Sequence, residues 1–577
     1  MSRPALTATD LVRTLGTRRV VDGITLTASP GHRIGLIGEN GVGKTTLLRL
    51  LAGIDEPDSG TVVRPPGTGF LHQELPFDPA STITEVLDDA LREAREDLAE
   101  LERLADRIAL APQDSPDLAG LLDVYGRRLE QAEERESWDA DRHAAAVLDG
   151  LGLGALAHSR RLDSLSGGQR GRLALAALLV RRPPALLLDE PTNHLDDRAA
   201  AFVEEQVRAL PGVVVIASHD RAFLDAVCTD LIDLDPAVDG PVRYGGNYTA
   251  YLAHKHAERE RWERRYAEEQ EELAALRHAT EVTAHRVAPD RERRDNEKMG
   301  YGHRGGRVQS QVSRRVRNAA RRLEKLRREQ VPQPPRPLRF HPTALTTATV
   351  TAPAPTGEDL PEGVLVSLRD VRVPGRLSLG HLDITASGRL LVTGDNGTGK
   401  STLLSVLAGQ LTALGAVQRR AGLTVGLLAQ DTVFARPERT ARATYAHALG
   451  ADRAQALPLD SLGLLHTTDL DKPVGRLSAG QRRRLALALL VARPPQLLLL
   501  DEPTNHLSPR LCDELEAALG TGPGAVVVAS HDRWLRARWR DHELRLPDPS
   551  AAHRAPAGAE PTESPGTVDS TTVEGRA

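Results

Sequence analysis

The stretch Gly38-Glu39-Asn40-Gly41-Val42-Gly43-Lys44-Thr45-Thr46 decides the fold of this chain. It follows the apolar run Arg33–Ile37 and precedes the helical pattern Leu47–Ala52, so a strand, a glycine loop and a helix come in that order. Such a loop lets backbone N–H groups converge on phosphate, while Lys44 neutralises phosphate charge and the Thr45 hydroxyl can hold Mg²⁺. The stretch therefore predicts an α/β domain that binds a nucleotide.

The same pattern recurs later in the chain as Gly394-Asp395-Asn396-Gly397-Thr398-Gly399-Lys400-Ser401-Thr402. The chain has 577 residues, of which 40% are hydrophobic, so it can fill two cores. An internal repeat of this kind predicts two domains of similar fold. The sequence therefore contains two candidate phosphate-binding loops, one in each repeat.

Each repeat also carries a serine–glycine sequence that opens a helical run. It is Ser166-Gly167-Gly168-Gln169 in the first repeat and Ser478-Ala479-Gly480-Gln481 in the second. Exposed N–H groups, a serine hydroxyl and the lack of a bulky side chain favour an anion site at a helix N-terminus. Each repeat is therefore predicted to have a second set of phosphate contacts.

Two carboxylates end the next apolar strand of each repeat. Asp189 and Glu190 do so in the first repeat, and Asp501 and Glu502 in the second. The aspartate suits the coordination shell of Mg²⁺, and the glutamate can orient or deprotonate a water molecule. We therefore predict that Glu190 and Glu502 are catalytic.

A histidine follows a further apolar strand of each repeat, as His219 and His531, and a glutamine follows an earlier strand, as Gln73 and Gln430. Alone, a histidine at a strand end is more often structural, and a glutamine there is more often a surface residue. In this order of motifs, we interpret the histidines as sensors of the terminal phosphate. The glutamines are interpreted as residues that reach the metal and the attacking water.

The charge of the chain changes abruptly between the repeats. Residues 251–285 carry six basic and eight acidic side chains, whereas residues 298–322 carry eight basic and no acidic ones. Apolar positions recur at helical spacing on both sides of the glycine-rich segment 300–306, which predicts two antiparallel helices joined by a basic tip at about 286–309. About 40 residues at ~1.5 Å rise would carry this tip roughly 60 Å. The alternative is a solvated charged spacer.

Spacing and composition set the other boundaries. Ninety-three residues separate Gln73 from Ser166 and only 48 separate Gln430 from Ser478, so the helices predicted at 84–150 form an insertion in the first repeat. This insertion is either a structural lid or a partner surface. We predict a first domain at 1–248, a linker at 249–330, a second domain with a Pro-rich leading segment at 331–546, and a disordered tail at 547–577.

Composition excludes some protein classes. The two cysteines lie in different repeats and indicate no disulfide framework. The N-terminus lacks a signal pattern, and no apolar run reaches 18 residues. The net charge of −5 makes the basic tip a local feature. We therefore expect a soluble, cytoplasmic protein without a membrane partner.

The motif order resembles that of the ATP-binding cassette (ABC) ATPases. The family's set is reproduced by Gln73, the LSGGQ signature at 165–169, LLLDE at 186–190, NHLD at 193–196 and His219. The second repeat has the same set with Ala479 in its signature and Ser508 in place of the aspartate of NHLD. The resemblance covers roughly residues 5–245 and 338–546. It implies ATP and Mg²⁺ as cofactors. It also implies facing cassettes, with each ATP between one phosphate loop and the opposite signature.

Two positions depart from this family. Members commonly stack adenine on an aromatic residue before the phosphate loop, where this chain has Leu15 and, in the second repeat, Val373 and Pro374. Selection of the base is therefore less well supported than phosphate binding. Ser508 stands where the first repeat has Asp196, which predicts two unequal ATP sites.

The chain resembles the ABC-F translation factors in three features: two cassettes in one chain, NHLD and NHLS motifs, and a long basic linker. This resemblance implies a monomer with intramolecular cassette pairing that binds the ribosome at the exit-tRNA site. Its linker tip would lie near the peptidyl-transferase centre, beside 23S rRNA and peptidyl-site tRNA. The string Asp295–Tyr301, with Arg307-Val308-Gln309 and Ser313–Asn318 after it, is similar to the antibiotic-resistance branch.

The linker also has the chemistry for RNA. Arginine forks bind phosphate, and an aromatic ring such as that of Tyr301 can stack on a base, whereas Tyr244, Tyr248, Tyr251 and Tyr266 fit helix packing better. The candidate RNA-binding residues are Lys298, Tyr301, Arg304, Arg307, Arg314, Arg315 and Arg317.

Three alternative functions remain open from the sequence. They are a housekeeping translation factor, the motor of a drug exporter with separate membrane subunits, and a DNA-repair or chromosome ATPase. The charged linker disfavours the last two, because a motor needs no such arm and coiled-coil insertions in repair ATPases interrupt a cassette. We therefore expect no DNA partner.

Overall fold

The computed structural model has a mixed α/β architecture of two cassettes joined by a helical linker. The described residues are 5–16, 18–38, 41–71, 77–112, 117–193, 195–235, 240–285, 314, 317–331, 360–395, 397–430, 432–504, 507, 509–521 and 524–547. The predicted linker tip lies outside them, and so does the tail beyond Pro547.

The first cassette contains two sheets and the helices that cover them. Its strands are β1 (Leu6–Leu15), β2 (Arg18–Ala28), β3 (Arg33–Ile37), β4 (Ser59–Val63), β5 (Gly69–Phe70), β6 (Ala185–Asp189), β7 (Val213–Ala217), β8 (Asp230–Asp233) and β9 (Val242–Gly245). Its helices are α1 (Lys44–Ala52), α2 (Ile83–Leu110), α3 (Leu118–Glu134), α4 (Ala140–Gly150), α5 (Gly167–Arg181), α6 (Asp197–Ala209) and α7 (Arg221–Val227).

The larger sheet of the first cassette positions the nucleotide motifs. Its strand order is β5-β6-β7-β3-β8-β9, and its strands are parallel except for β9. The strands β6 and β7 are almost wholly apolar because helices cover both faces of a parallel sheet, and residues 185–188 and 213–217 are buried. A smaller antiparallel sheet has the order β2-β1-β4.

The helices α2, α3 and α4 lie between β5 and α5 of the first cassette. The helix α2 begins at a capping box in which the Thr82 hydroxyl accepts from the Glu85 N–H and the Glu85 carboxylate accepts from the Thr82 N–H. Asp97 lies fully buried between α2 and α3, where Arg128 and Arg135 contact its carboxylate at 3.1 and 2.7 Å. This ion cluster joins the two long helices of the insertion.

The linker begins with one long helix. It is α8 (Tyr248–His285), and a second helical segment, α9 (residues 317–328), returns along it. Arg322 contacts Glu272 at 2.5 Å, and the Val331 N–H donates to Glu269 at 3.1 Å, so the two segments run in opposite directions. Leu273 and Leu323 are both buried. Over the described linker residues, these contacts agree with an antiparallel pair of helices.

The second cassette repeats this plan without a long helical insertion between β14 and α13. Its strands are β10 (Val364–Val373), β11 (Leu377–Thr385), β12 (Arg389–Thr393), β13 (Leu414–Arg419), β14 (Val425–Leu428), β15 (Leu497–Asp501), β16 (Ala525–Ala529) and β17 (His542–Arg545). Its helices are α10 (Lys400–Leu407), α11 (Ala441–Leu449), α12 (Ala451–Ala456), α13 (Ala479–Ala492), α14 (Pro509–Thr521) and α15 (Arg533–Arg538).

The main sheet of the second cassette is parallel. Its strand order is β14-β15-β16-β12-β17, beside an antiparallel sheet β11-β10-β13. The predicted fold class of two cassettes is therefore confirmed. Within the described ranges, no helix is both long enough and apolar enough to cross a bilayer.

Candidate nucleotide sites and the interface between the cassettes

Each candidate site lies at the carboxyl edge of a parallel sheet. In the first cassette β6, β7 and β3 are neighbours, so the loops that follow them meet at this edge. These loops carry Asp189 and Glu190, His219, and the phosphate loop. The strands β15, β16 and β12 bring together the equivalent segments of the second cassette. Ligands of open α/β sheets bind at this edge.

The two phosphate loops have matching backbone conformations. In the first, Gly38, Gly41 and Gly43 have φ values of 146°, 82° and 117°. In the second, Gly394, Gly397 and Gly399 have 144°, 88° and 95°. A Cβ atom on Gly43 would lie 2.7 Å from the Val20 carbonyl oxygen, so only glycine fits there. The two loops thus share the left-handed glycines that are typical of phosphate-binding loops.

Each loop lysine folds back onto its own loop. The Lys44 Nζ donates to the Gly38 carbonyl at 2.7 Å, and the Lys400 Nζ donates to the Gly394 carbonyl at 2.8 Å. Both lysines are buried. Their ammonium groups are therefore fixed beside the backbone that would cradle phosphate. Three other predicted loop residues, Glu39, Asn40 and Asn396, lie outside the described residues.

A hydroxyl and a carboxylate meet in each site. Burial raises the pKa of Asp189, and the Thr45 hydroxyl opposes this by bonding to the carboxylate. Burial likewise raises the pKa of Asp501, opposed by the Ser401 hydroxyl. Mg²⁺ binds one or two protein oxygens and completes its shell with water and substrate phosphate, so these pairs fit Mg²⁺. In the described part of the chain, no group of three or more His, Cys, Asp or Glu side chains could hold a metal ion.

Both candidate catalytic glutamates have a left-handed backbone. Glu190 has φ 49° and Glu502 has φ 48°, values that are uncommon for residues other than glycine. The Glu190 N–H donates to Ala217 and the Glu502 N–H donates to Ala529, both at 2.8 Å. These bonds hold each carboxylate beside the loop that follows β7 or β16. The strain recurs in both cassettes and points to a constrained functional position.

The loops that follow β7 and β16 carry His219 and His531, and we call them the histidine loops. Each contacts the glutamate of its own cassette. The His219 N–H donates to the Glu190 Oε2 at 3.2 Å, and the His531 N–H donates to the Glu502 Oε2 at 3.3 Å. The imidazoles differ, because the His531 Nδ1 lies 2.8 Å from Glu502, whereas the His219 Nε2 lies 3.6 Å from Glu190 and 3.1 Å from the Lys44 Nζ. Bonding to Glu502 raises the pKa of His531. The imidazole contacts therefore differ between the two cassettes.

Burial raises the pKa of Glu190 to about 7, although the His219 N–H and Lys44 oppose this effect. A carboxyl group must lose its proton before it can accept one from water. In a Glu502→Gln variant, kcat/KM for ATP should therefore fall about tenfold per pH unit below pH ~7 and level off above it. Steady-state ATPase assays with the Glu190→Gln/Glu502→Gln protein as background check this result. A value of kcat/KM that stays constant from above pH ~7 down to about two pH units lower would contradict this prediction.

The two signature sequences cap helices. The Ser166 hydroxyl accepts from the Gln169 N–H at 3.2 Å, and the Ser478 hydroxyl accepts from the Gln481 N–H at the same distance. Both serines are exposed at the first turns of α5 and α13. The signatures are therefore accessible helix N-termini of the kind that binds anions. Asp196 similarly caps α6 through the Ala199 N–H, whereas Ser508 lies outside the described residues.

Arg221, the first residue of α7 in the first cassette, extends its side chain into contact with the second cassette. Its side chain is 1% exposed, and its guanidinium contacts three carboxylates of the other cassette. The contacts are 3.0 Å to Asp513, 2.5 Å to Glu516 and 2.7 Å to Asp532. Burial is the largest single influence on the pKa of Asp532 and acts to raise it. The charge and hydrogen bonds of Arg221 together outweigh burial, so this pKa lies below its usual range. Arg221 is therefore a buried ionic contact between the cassettes.

Arg533 makes the reciprocal contact from α15. It lies 2.6 Å from Glu204 and 2.8 Å from Asp220 of the first cassette. Arg221 and Arg533 both follow a Ser-His-Asp sequence, at 218–220 and 530–532. Each arginine thus pairs with the aspartate next to the other cassette's histidine. This exchange joins the two histidine loops across the interface.

The first turns of α8, which we call the linker root, contact both cassettes. On the first cassette, Asp233 accepts from the Tyr251 hydroxyl and contacts the Lys255 Nζ, each at 3.0 Å. On the second, the Tyr248 hydroxyl donates to Asp513 at 3.0 Å. The second cassette also supplies Glu514, 3.3 Å from Arg259, and Trp534, whose ring stands edge-on to Tyr248 at 5.2 Å. The orientation of α8 therefore depends on both cassettes at once.

The structure accounts for the other predicted residues in part. Gln430 is exposed and lies beyond β14. Arg314 and Arg317 are exposed on the linker. The described residues do not include Gln73, Lys298, Tyr301, Arg304, Arg307 or Arg315. Tyr244, Tyr248 and Tyr251 are buried, so the packing interpretation of these three is confirmed.

Sequence reasoning missed the two interface arginines. Their signal was present, because an arginine follows Ser-His-Asp in both repeats. Nothing in the sequence indicated that each side chain would cross to the other cassette. Their partners are about 300 positions away along the chain, at 513–532 and 204–220.

Comparisons with known proteins agree with this architecture. The family model described as ABC transporter matches residues 21–193 and 378–505. The chain is 43% identical over 535 residues to the tylosin resistance ATP-binding protein of Streptomyces fradiae, covering 92% of this chain and 95% of that protein. It is 31% identical over 546 residues to the energy-dependent translational throttle protein of Mycobacterium tuberculosis, covering 92% and 89%.

Similarity extends to eukaryotic and archaeal proteins. Mouse ATP-binding cassette sub-family F member 3 is 31% identical over 539 residues, covering 90% of this chain and 68% of that protein. The archaeal ribosome recycling factor in its complex with a ribosomal stalk protein has a TM-score of 0.51 at 18% identity, covering 93% of this chain and 87% of that one. At this identity the structural likeness shows the fold alone.

The fold and the two sites define an ATP-hydrolysing ABC protein that carries both cassettes in one chain. This chain belongs to the ABC-F family.

Proposed function

We propose that this protein binds the ribosome at the exit-tRNA site and protects it from an antibiotic through its linker tip near the peptidyl-transferase centre. The observation that carries the proposal is the linker root, which is held by both cassettes. The name of the Streptomyces fradiae relative supports the antibiotic role, and that of the Mycobacterium tuberculosis relative supports a role in translation.

The cassette residues have distinct roles in this proposal. Lys44, Lys400 and the loop N–H groups bind phosphate, and the opposite signature completes each site. Mg²⁺ would be held by Thr45 and Asp189 or by Ser401 and Asp501, assisted by Gln73 and Gln430, and would offset phosphate charge. Glu190 and Glu502 orient or deprotonate water, while His219 and His531 contact the terminal phosphate. ATP thus joins the two cassettes, and its hydrolysis releases them.

Closure of the cassettes would move the linker. When the second cassette shifts, Asp513, Glu514 and Trp534 move relative to Asp233 of the first cassette. The linker root must then change its angle or lose some of its contacts. The helix α8 has 38 residues, which at ~1.5 Å per residue span roughly 57 Å, so a small change at the root becomes a large displacement at the tip. The ATP state of the cassettes would thereby set the position of the tip.

A housekeeping role in translation is the second candidate. The similarity to the translational throttle protein favours it. A drug-susceptibility panel in a sensitive host that expresses this chain separates the two. Protection predicts a raised inhibitory concentration for at least one ribosome-targeting drug, tylosin being the first to test. Unchanged susceptibility to the whole panel, with altered translation in its absence, would favour the housekeeping role.

Ribosome binding should depend on the basic linker. We expect Arg314→Glu/Arg315→Glu/Arg317→Glu to weaken co-sedimentation with ribosomes while ATP binding stays normal. Arginine–phosphate contacts release counterions, so the wild-type affinity should fall steeply with salt and the variant should show a shallower slope. Tyr301→Ala should instead weaken binding by roughly 1–3 kcal/mol with little change in slope, because stacking is not ionic.

The matched control reverses three exposed arginines of the cassettes, Arg198, Arg436 and Arg453. This control has the same net charge as the linker variant, so it should bind ribosomes more tightly than that variant does. Equal binding by the two triple variants would contradict a specific role of the linker.

A further inference from the structure

Arg483 connects three parts of the second ATP site. It lies in α13, two residues after the signature residue Gln481, and is 2% exposed. Its Nη1 donates to the Gln430 carbonyl at 3.0 Å. Its Nη2 donates to the carbonyl oxygens of Glu502, at 2.6 Å, and Asp501. One side chain therefore fastens the signature helix to the glutamine, the metal-site aspartate and the catalytic glutamate.

The guanidinium suits this task because it presents several N–H donors in a rigid planar fork. A lysine would offer a similar charge on a flexible stem without that fork. The accepting carbonyls belong to the end of β15 and to the segment after β14, beyond the last pair of the β14–β15 ladder, Leu428 and Leu500. Arg483 thus joins these two segments where β14 and β15 no longer pair with each other, while β16 still pairs with Asp501.

Among the described residues of the first cassette, no side chain of α5 makes an equivalent connection to Glu190. A constant offset of 312 positions relates Gln169 to Gln481 and Glu190 to Glu502, and the same offset places Gly171 opposite Arg483. Gly171 is exposed on α5, and a Cβ atom added to it would meet no heavy atom within 4 Å. Space for a side chain exists at this position, but glycine has none and cannot bond to the backbone of Glu190.

We propose that Arg483 is a positioning residue through which the ATP on Lys44 affects turnover of the ATP on Lys400. In the proposed arrangement the signature of the second cassette faces the ATP on Lys44, whereas Gln430, Asp501 and Glu502 serve the ATP on Lys400. Through Arg483, occupation of the first site orients the catalytic residues of the second, and Gly171 offers no matching side chain from the first signature helix to Glu190. This inference rests on the proposed two-site ATP hydrolysis.

Single-site backgrounds test the inference. In the full-length Glu190→Gln protein, turnover reports Glu502, and Arg483→Lys should lower its kcat by about 10–100-fold because the glutamate is misplaced. The KM for ATP should change less than about twofold, since Lys400 and its loop are untouched. In the Glu502→Gln protein, turnover reports Glu190, and Arg483→Lys should change its kcat less than about twofold.

Arg493→Lys is the matched control. Arg493 is an exposed arginine that follows the far end of α13, so its substitution should change neither background. Thermal unfolding is recorded for each variant, and Arg483→Gln replaces Arg483→Lys if the latter is unfolded at the assay temperature. An equal loss of kcat in both backgrounds, or a loss in neither, would overturn the inference. Undiminished ATPase in the Glu190→Gln/Glu502→Gln protein would instead overturn the glutamate roles of the proposed function.

Discussion

Glu190→Gln/Glu502→Gln is expected to bind ATP normally and to hydrolyse it at least about 100-fold more slowly than the wild type. A general base contributes roughly 10²–10⁴-fold to a reaction, and glutamine keeps the shape of glutamate without a group that accepts the proton. Both glutamates stand at the carboxyl end of a central strand, beside an aspartate that we propose holds Mg²⁺. Steady-state phosphate release measures the loss, and equilibrium binding of a fluorescent ATP analogue measures retention.

The double variant should also remain closed, because ATP that is not hydrolysed continues to join the cassettes. We expect it to stay on ribosomes through a sucrose cushion in ATP and to inhibit translation. The single variants serve as controls and should retain unequal residual rates, since the two histidine–glutamate contacts differ. ATP turnover at the wild-type rate in the double variant would show that neither glutamate acts on water.

Arg221→Met is expected to destabilise the folded protein by about 3–5 kcal/mol, the usual cost of removing one partner from a buried ion pair. It leaves Asp513, Glu516 and Asp532 facing one another without the cation that separates them. Burial raises the pKa values of Asp513 and Glu516, and Arg221 opposes this. Urea unfolding followed by tryptophan fluorescence measures the change. We expect ATPase activity to fall as well, because Asp532 adjoins His531.

Arg536→Met provides the comparison. Arg536 also crosses the interface, but it pairs with the largely exposed Asp197, so the expected cost is ~0–1 kcal/mol. Adding Asp513→Asn and Glu516→Gln to Arg221→Met should recover part of the lost stability by removing the uncompensated charge. If the triple variant were no more stable than Arg221→Met, the carboxylates would not be the reason for the loss.

Local motifs explain why so much of the nucleotide sites could be predicted. The strand, loop and helix around Lys44 are contiguous in sequence, and hydrophobic patterning alone places them in order. Parallel strands then bring Asp189, Glu190 and His219 to the same edge. Because β6, β7 and β3 are neighbours in the sheet, motifs that are separate in the sequence meet in one site.

Interactions between distant segments could not be predicted in this way. Neither Arg221 nor Tyr248 carries a local pattern that identifies Asp513 as its partner, and the sequence analysis assigned no contacts to the linker root. The left-handed backbone of Glu190 and Glu502 follows from the turn that each strand end must make, which composition does not reveal. Arg483 looked like one of several arginines in a helix.

The predicted inequality of the two ATP sites illustrates the difference. Sequence reasoning based it on Ser508, which lies outside the described residues. The structure offers other grounds in Arg483 and Gly171, and in the distinct contacts of His219 and His531. Asymmetry therefore stays a prediction, now with side chains whose substitution tests it.

In the proposed function, ATP-driven cassettes protect the ribosome through the linker tip. Translation of a reporter in a cell-free system inhibited by tylosin, with purified protein and ATP, is a direct test of this protection. We predict that the wild type restores synthesis and that deletion of Gly300–Arg307 abolishes the rescue while leaving the ATPase of the isolated protein intact. Rescue by the deletion variant equal to that of the wild type would contradict the claim, because the protective surface would then lie on the cassettes or on the helices α2–α4.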